Sequence, residues 1–76
     1  MPDEIKIKNK VRELRFFANE MTQKELAEQA GISRQTVIAI EAEKYSPSLK
    51  LAFKIADVFG VEITKVFSYE KNSRVK

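Results

Sequence analysis

The segment from Thr22 to Ala42, TQKELAEQAGISRQTVIAIEA, leaves a chain of this kind very few ways to fold. Thr22 with Glu25 three positions on is a capping box, in which each side chain takes up a backbone donor left free at the start of a helix. Leu26, Ala27 and Ala30 then mark one apolar stripe. The helix must stop at Ala30 and Gly31, because glycine enters the left-handed conformation that closes a helix end without steric cost. Ile32 follows as a buried link, and Ser33 caps a second helix. The stretch is therefore two short helices around a tight glycine turn.

Such a pair is the helix-turn-helix unit, whose second helix enters the DNA major groove. With Val37 at the centre of that helix's inward face, Ile40 and Glu41 fall beside it. Gln35, Ile38, Ala39 and Ala42 project to the opposite side, with Arg34 at its flank. Ser33, Arg34 and Gln35 stand at the helix start, the part of a recognition helix that reaches base edges. Arg34 can donate two bonds to guanine and Gln35 can pair with adenine, each worth about 1–3 kcal/mol of discrimination. Ile38 is apolar yet outward; a thymine methyl suits it, with Ala39 keeping the backbone close, and burial against a neighbouring loop is the alternative.

Phosphate contacts are expected from the flanks of this unit. Thr22 and Gln23 open its first helix, where free backbone donors and the helix dipole favour an anion. Thr36, Lys44, Tyr45, Ser48 and Lys50 ring the other side. Contacts of this kind set position rather than sequence. Read separately, each of these side chains is an ordinary cap or a solvated charge; their combination points to DNA.

Seventy-six residues make one domain with a small core, too small for a large catalytic cleft. The chain has no cysteine and no histidine, which rules out disulfides and zinc–thiolate sites and removes the commonest general base. No cluster of acids, no nucleophile and no glycine-rich phosphate loop suggests an enzyme, a metal or a cofactor. The formal charge of +3 favours a polyanion only mildly. No apolar run approaches a membrane span and MPDEIKIK is unlike a signal peptide, so a cytoplasmic protein is expected.

Ile5 to Lys8 alternate apolar and basic, as in a short strand, and the period changes to helical from about Lys10 to Asn19. There Val11, Leu14 and Ala18 share a face with Phe17 at its edge, Arg15 lies at the margin, and Phe16 points away. Ser46 and Pro47 fit the cap and first residue of a fourth helix, which Gly60 ends. Leu49, Ala52, Ile55, Ala56 and Phe59 form its core stripe, and Leu51 and Val58 a second apolar face. Ile63, Val66 and Phe67 suggest a fifth helix from about Glu62. Phe67 and Tyr69 then alternate with polar residues, so a terminal strand near residues 67–71 could pair with residues 4–8, ahead of a polar tail at about 71–76.

The run TQKELAEQAGISRQTVIAIE, continued by KYSPSLKLAFKIADVFGVEITKVF, resembles the Xre-type, lambda-repressor/Cro-like helix-turn-helix regulators over roughly residues 9–69, in particular their short stand-alone members. The resemblance implies an all-α, compact five-helix bundle, to which the two termini could add a small antiparallel β ribbon. It also implies a homodimer on a roughly palindromic double-stranded DNA operator, and Gln23 buttressing the recognition helix while touching phosphate. A further implication is an ion pair between an arginine late in helix one and Glu41. Arg15 is the candidate, although it stands seven residues before Thr22 where many relatives place the arginine six before, so an extra residue must be absorbed in the link.

The dimer surface is not supplied by the resemblance. Leu51, Val58, Phe16, Phe67 and Tyr69 are the apolar residues left over, which points to helices four and five and the terminal segment. For so small a chain, repression by promoter occlusion is the simpler expectation. The alternative is a protein-binding module such as an antitoxin or a coactivator.

Overall fold

The computed structural model describes residues 4–72. Five helices, α1 (Val11–Phe17), α2 (Gln23–Ala30), α3 (Arg34–Glu41), α4 (Leu49–Phe59) and α5 (Ile63–Val66), lie between two strands, β1 (Glu4–Asn9) and β2 (Phe67–Asn72). The strands pair antiparallel, Glu4 opposite Asn72 and Asn9 opposite Phe67, so the alternation at both termini resolves into one two-stranded ribbon. Lys71 and Asn72 belong to that ribbon instead of to a polar tail; the rest of the expected tail, 73–76, lies outside the described residues.

Every helix contributes to a single core. Val11 of α1, Leu26, Ala27 and Ala30 of α2, Val37 and Ile40 of α3, Ile55 and Ala56 of α4 and Val66 of α5 are buried together. Full burial of an aliphatic side chain of this size contributes about 1.5–3 kcal/mol. The small alanines at positions 27, 30 and 56 let the short helices approach closely. Leu14, Ile32, Leu51, Val58 and Phe59 pack around the edge.

Four expectations change. Helix one ends at Phe17, two residues early, because Asn19 and Glu20 both take positive φ, 61° and 56°. These two successive left-handed residues form the link to α2, and Phe17, the last residue of α1, is 79% exposed. Ser48 caps α4, accepting the Leu51 N–H at 3.1 Å, so Ser46 and Pro47 lie outside the helix. Pro47 instead lines an apolar hollow with Ile7, Leu49 and Phe67. Leu49 is consequently the first residue of the helix, overhangs the core and is 71% exposed. Leu51 and Val58, expected to form a free face, pack against the core.

Candidate nucleic-acid interface

The glycine turn is built as a complete C-terminal cap. Gly31 has φ 72°, its N–H reaches Glu28 O at 3.3 Å, and the Ile32 N–H reaches Ala27 O at 2.9 Å. These paired bonds satisfy the last carbonyls of α2 and redirect the chain within two residues. A side chain at position 31 would also meet Lys54 Nζ at 3.2 Å. At the other end of α2 the capping box is closed: Glu25 N donates to Thr22 Oγ1 at 3.0 Å and Thr22 N to Glu25 Oε1 at 2.8 Å.

Ser33 caps α3, accepting the Thr36 N–H at 3.1 Å, with the two hydroxyls 2.9 Å apart. Val37 and Ile40 anchor the helix in the core. The opposite side carries Arg34 and Gln35, both exposed, Ile38 at 39% exposure and half-buried Ala39. An apolar isoleucine is thus held beside a guanidinium and a carboxamide, each free of intramolecular hydrogen bonds among the described residues.

The far end of α3 is pinned by a polar network. Arg15 Nε donates to Glu41 Oε2 at 2.6 Å, Nη2 to Oε1 at 3.0 Å and Nη1 to Met21 O at 2.8 Å. Gln23 Nε2 donates to the same Glu41 oxygen, Oε1, at 3.1 Å. One carboxylate therefore joins α1, the start of α2 and the end of α3. With the side chains of Arg15 and Glu41 only 15% and 9% exposed, this two-toothed pair is largely shielded from solvent. Gln23 keeps its carbonyl oxygen and a second amide hydrogen for other partners.

Asn9 adds a brace that no motif announces. Its Nδ2 donates to Ile40 O at 2.8 Å while its Oδ1 accepts the Val11 N–H at 3.1 Å, so the end of β1 caps α1 and ties it to α3. The signal available in the sequence is an asparagine, a common capping residue, just ahead of the first helical period. Beyond α3, Glu43 takes φ 61° and the Lys44 N–H returns to Ala39 O at 2.9 Å, which turns the chain toward exposed Lys44 and Tyr45. Ser48 and exposed Lys50 stand at the start of α4. The prospective phosphate-binding groups thus sit at three local features: the first turn of α2, the first turn of α3, and the α3–α4 link with the start of α4.

Known proteins resemble this chain in sequence and, for one solved structure, in fold. A helix-turn-helix family model matches residues 11–66. The chain is 58% identical, over 84% of its length and 96% of the relative's, to an uncharacterized HTH-type transcriptional regulator of Methanocaldococcus jannaschii. It is 45% identical to another uncharacterized HTH-type transcriptional regulator, from Bacillus subtilis, over 88% of its own length and all of that protein. A crystal structure assigned as a DNA-binding protein of Bacteroides fragilis superposes with a TM-score of 0.71 at 26% identity, covering 82% of this chain and 98% of that one.

Proposed function

Because the chain belongs to the Xre/Cro-like helix-turn-helix family of DNA-binding transcriptional regulators, we propose that it is a sequence-specific repressor that binds an operator as a homodimer and blocks the promoter. The observation that carries this is the asymmetry of α3: Val37, Ile40 and Glu41 are locked to the bundle, whereas Arg34, Gln35 and Ile38 face outward from a helix start capped by Ser33. A helix held this way presents a fixed pattern of donors and one methyl-sized apolar contact to base edges.

In this reading Ser33, Arg34, Gln35, Ile38 and Ala39 touch bases. Thr22, Gln23, Thr36, Lys44, Tyr45, Ser48 and Lys50 touch phosphate. Gln23 serves twice, since one amide hydrogen holds Glu41 and the other is left to reach a phosphate oxygen. Strand position and helix orientation are thereby coupled through a single side chain. The two copies meet through α4, α5 and the terminal strands, on an operator whose half-sites lie about 34 Å apart, one turn of DNA. No helix of the described residues is long and apolar enough to cross a membrane, and the proposed place of action is the cytoplasm, with the DNA.

Selection of bound sequences from a random duplex pool tests the proposal. A two-fold symmetric site with guanine and adenine preferences in each half is the expected result. Affinity for random duplex should also fall steeply with salt, by about 0.9 log units per log unit of salt for each phosphate neutralised. Absence of enrichment together with salt-insensitive binding would favour a protein partner, as for an antitoxin or a coactivator.

A further inference from the structure

The recognition helix α3 packs chiefly along α2, and its two ends are held differently. Its start carries Arg34 and Gln35 and is exposed. At its far end Asn9, the last residue of β1, donates from Nδ2 to Ile40 O at 2.8 Å, and the Glu43 N–H reaches the same carbonyl at 2.9 Å. Lys8, one position earlier on the strand, places Nζ 3.7 Å from Glu43 Oε1 and 3.9 Å from Glu70 Oε1 of β2. Two successive residues of one strand thus engage both sides of the turn that ends α3. The strand is itself fixed by its pairing with β2 and by the Lys10 N–H on Val66 O at 2.9 Å, so the ribbon and α5 stand behind the hold.

As a cap for α1, Asn9 needs only its Oδ1, which accepts the Val11 N–H. The bond from its amide nitrogen to a residue 31 positions away serves another purpose. Arg15 also anchors the end of α3, but through the Glu41 side chain, whose rotatable bonds leave the backbone behind it some freedom. A bond to a main-chain carbonyl constrains the helix itself. The leverage is large for so short a helix: Arg34 precedes Ile40 by six positions, about 9 Å, so a tilt of about 10° at Ile40 carries Arg34 by about 1.6 Å. Hydrogen bonds to base edges hold only over a range of about 0.5 Å, so such a tilt removes two-toothed reading. Phosphate contact tolerates the same tilt, because attraction between charges falls off over about 10 Å.

We propose that Asn9 is a positioning residue for base reading, with Lys8 as a second, weaker tie. Through them the terminal ribbon sets the tilt of α3 and hence how sharply Arg34 and Gln35 discriminate between bases, whereas affinity for DNA of any sequence rests on the phosphate contacts. Lys8 is the weaker tie because its pair with Glu43 is long and its side chain is 44% exposed. The inference rests on the DNA-binding regulator proposed above and adds the residue that aims its recognition helix.

Asn9→Ser separates the two bonds, since a hydroxyl can accept the Val11 N–H but is too short to reach Ile40 O. The quantity measured is the ratio of affinity for the selected operator to affinity for a random duplex of equal length, at a temperature where circular dichroism shows every variant folded. Asn9→Ser should lower this ratio by about fivefold or more, the smaller end of losing one two-toothed contact, with random-duplex affinity nearly unchanged. Ile55→Val removes one buried methyl from α4 and is the control for lost stability; it should melt lower and keep the ratio. Lys8→Gln, at a half-exposed position where folding is not at issue, should lower the ratio by about twofold and decides the matter if Asn9→Ser does not fold. A ratio unchanged in the deciding variant, or lowered no more than in Ile55→Val, would overturn the proposal. Amide exchange in the free protein needs no DNA: Asn9→Ser should speed exchange of the Glu43 and Lys44 N–H groups, which bond Ile40 O and Ala39 O, more than Ile55→Val does. A natural chain that selects no sequence would remove the regulator reading; faster exchange would then still keep Asn9 as the hold on α3, and unchanged exchange would overturn that as well.

Discussion

Arg15 grips both carboxylate oxygens of Glu41, at 2.6 and 3.0 Å, across 26 positions of sequence. The pair spans the gap between the first helix and the end of the third, and the remaining Nη1 secures the chain at Met21 just before α2 begins. Arg15→Ala would leave a carboxylate that is 9% exposed with only Gln23 as a partner among the described residues. Breaking a pair of this kind costs about 3–5 kcal/mol. With both side chains at the margin of the core, we expect about 3 kcal/mol and a melting temperature lower by roughly 10 °C or more. Thermal unfolding followed by circular dichroism decides it, and an unchanged midpoint would show the pair to be idle.

Arg34→Ala and Gln35→Ala should separate recognition from stability. Both side chains are exposed and make no intramolecular hydrogen bond among the described residues, so each variant should unfold within about 0.5 kcal/mol of the parent. Each should nevertheless lose about 1–3 kcal/mol of preference at one base position of each half-site. Competition binding against single-base operator variants measures this directly.

Lys44→Ala should behave in the opposite way. It is exposed on the turn after α3, and its proposed contact is with phosphate. Affinity should drop about equally for all duplex sequences, and the slope of log affinity against log salt should become shallower by about 1. A change in sequence preference instead would move Lys44 into the base-reading set.

Asn9→Ala should loosen the link between the ribbon and the recognition helix. It removes one donor to Ile40 O and one acceptor for the Val11 N–H. Hydrogen bonds of this type contribute about 0.5–1.5 kcal/mol each, so a destabilisation of about 1–3 kcal/mol is expected in chemical denaturation. Asn9→Asp keeps the acceptor for Val11 but sets a carboxylate oxygen against Ile40 O, so it should not restore stability.

Glu20→Gly should stabilise the protein. Glu20 sits at φ 56° on the surface with no ion-pair partner among the described residues, a conformation that costs a non-glycine residue about 1–2 kcal/mol. Glycine removes that strain and gives back about 0.4–1 kcal/mol through its freer unfolded chain. A net gain of up to about 1 kcal/mol is expected, seen as a higher denaturation midpoint; a lower midpoint would mean that the left-handed turn is unstrained.

How far the sequence carries differs from element to element. The capping box at Thr22 and Glu25 and the stop at Gly31 are legible because they depend on residues three to five positions apart, and the structure contains them. The sequence reading puts the cap of α4 at Ser46, whereas in the structure it is Ser48. Choosing between them depends on Pro47 finding an apolar hollow made by Ile7 and Phe67, which arrive from the two ends of the chain. Phe53 escapes a sequence reading for a related reason. A phenylalanine in an apolar helix registers as core until the neighbouring elements are in place and none of them covers it.

The order of the helices, and the caps and buried faces of α2 and α3, are written in the residues alone, because helical period and end chemistry are local and need no partner to be read. Which outward groups share one surface was decided by the tertiary structure. The bond of Gln23 to Glu41, the brace from Asn9 to Ile40 and the exposure of Leu49 and Phe53 on α4 all depend on segments that meet only after the core has closed. A distance between residues remote in the chain is set by packing, and no local pattern contains it.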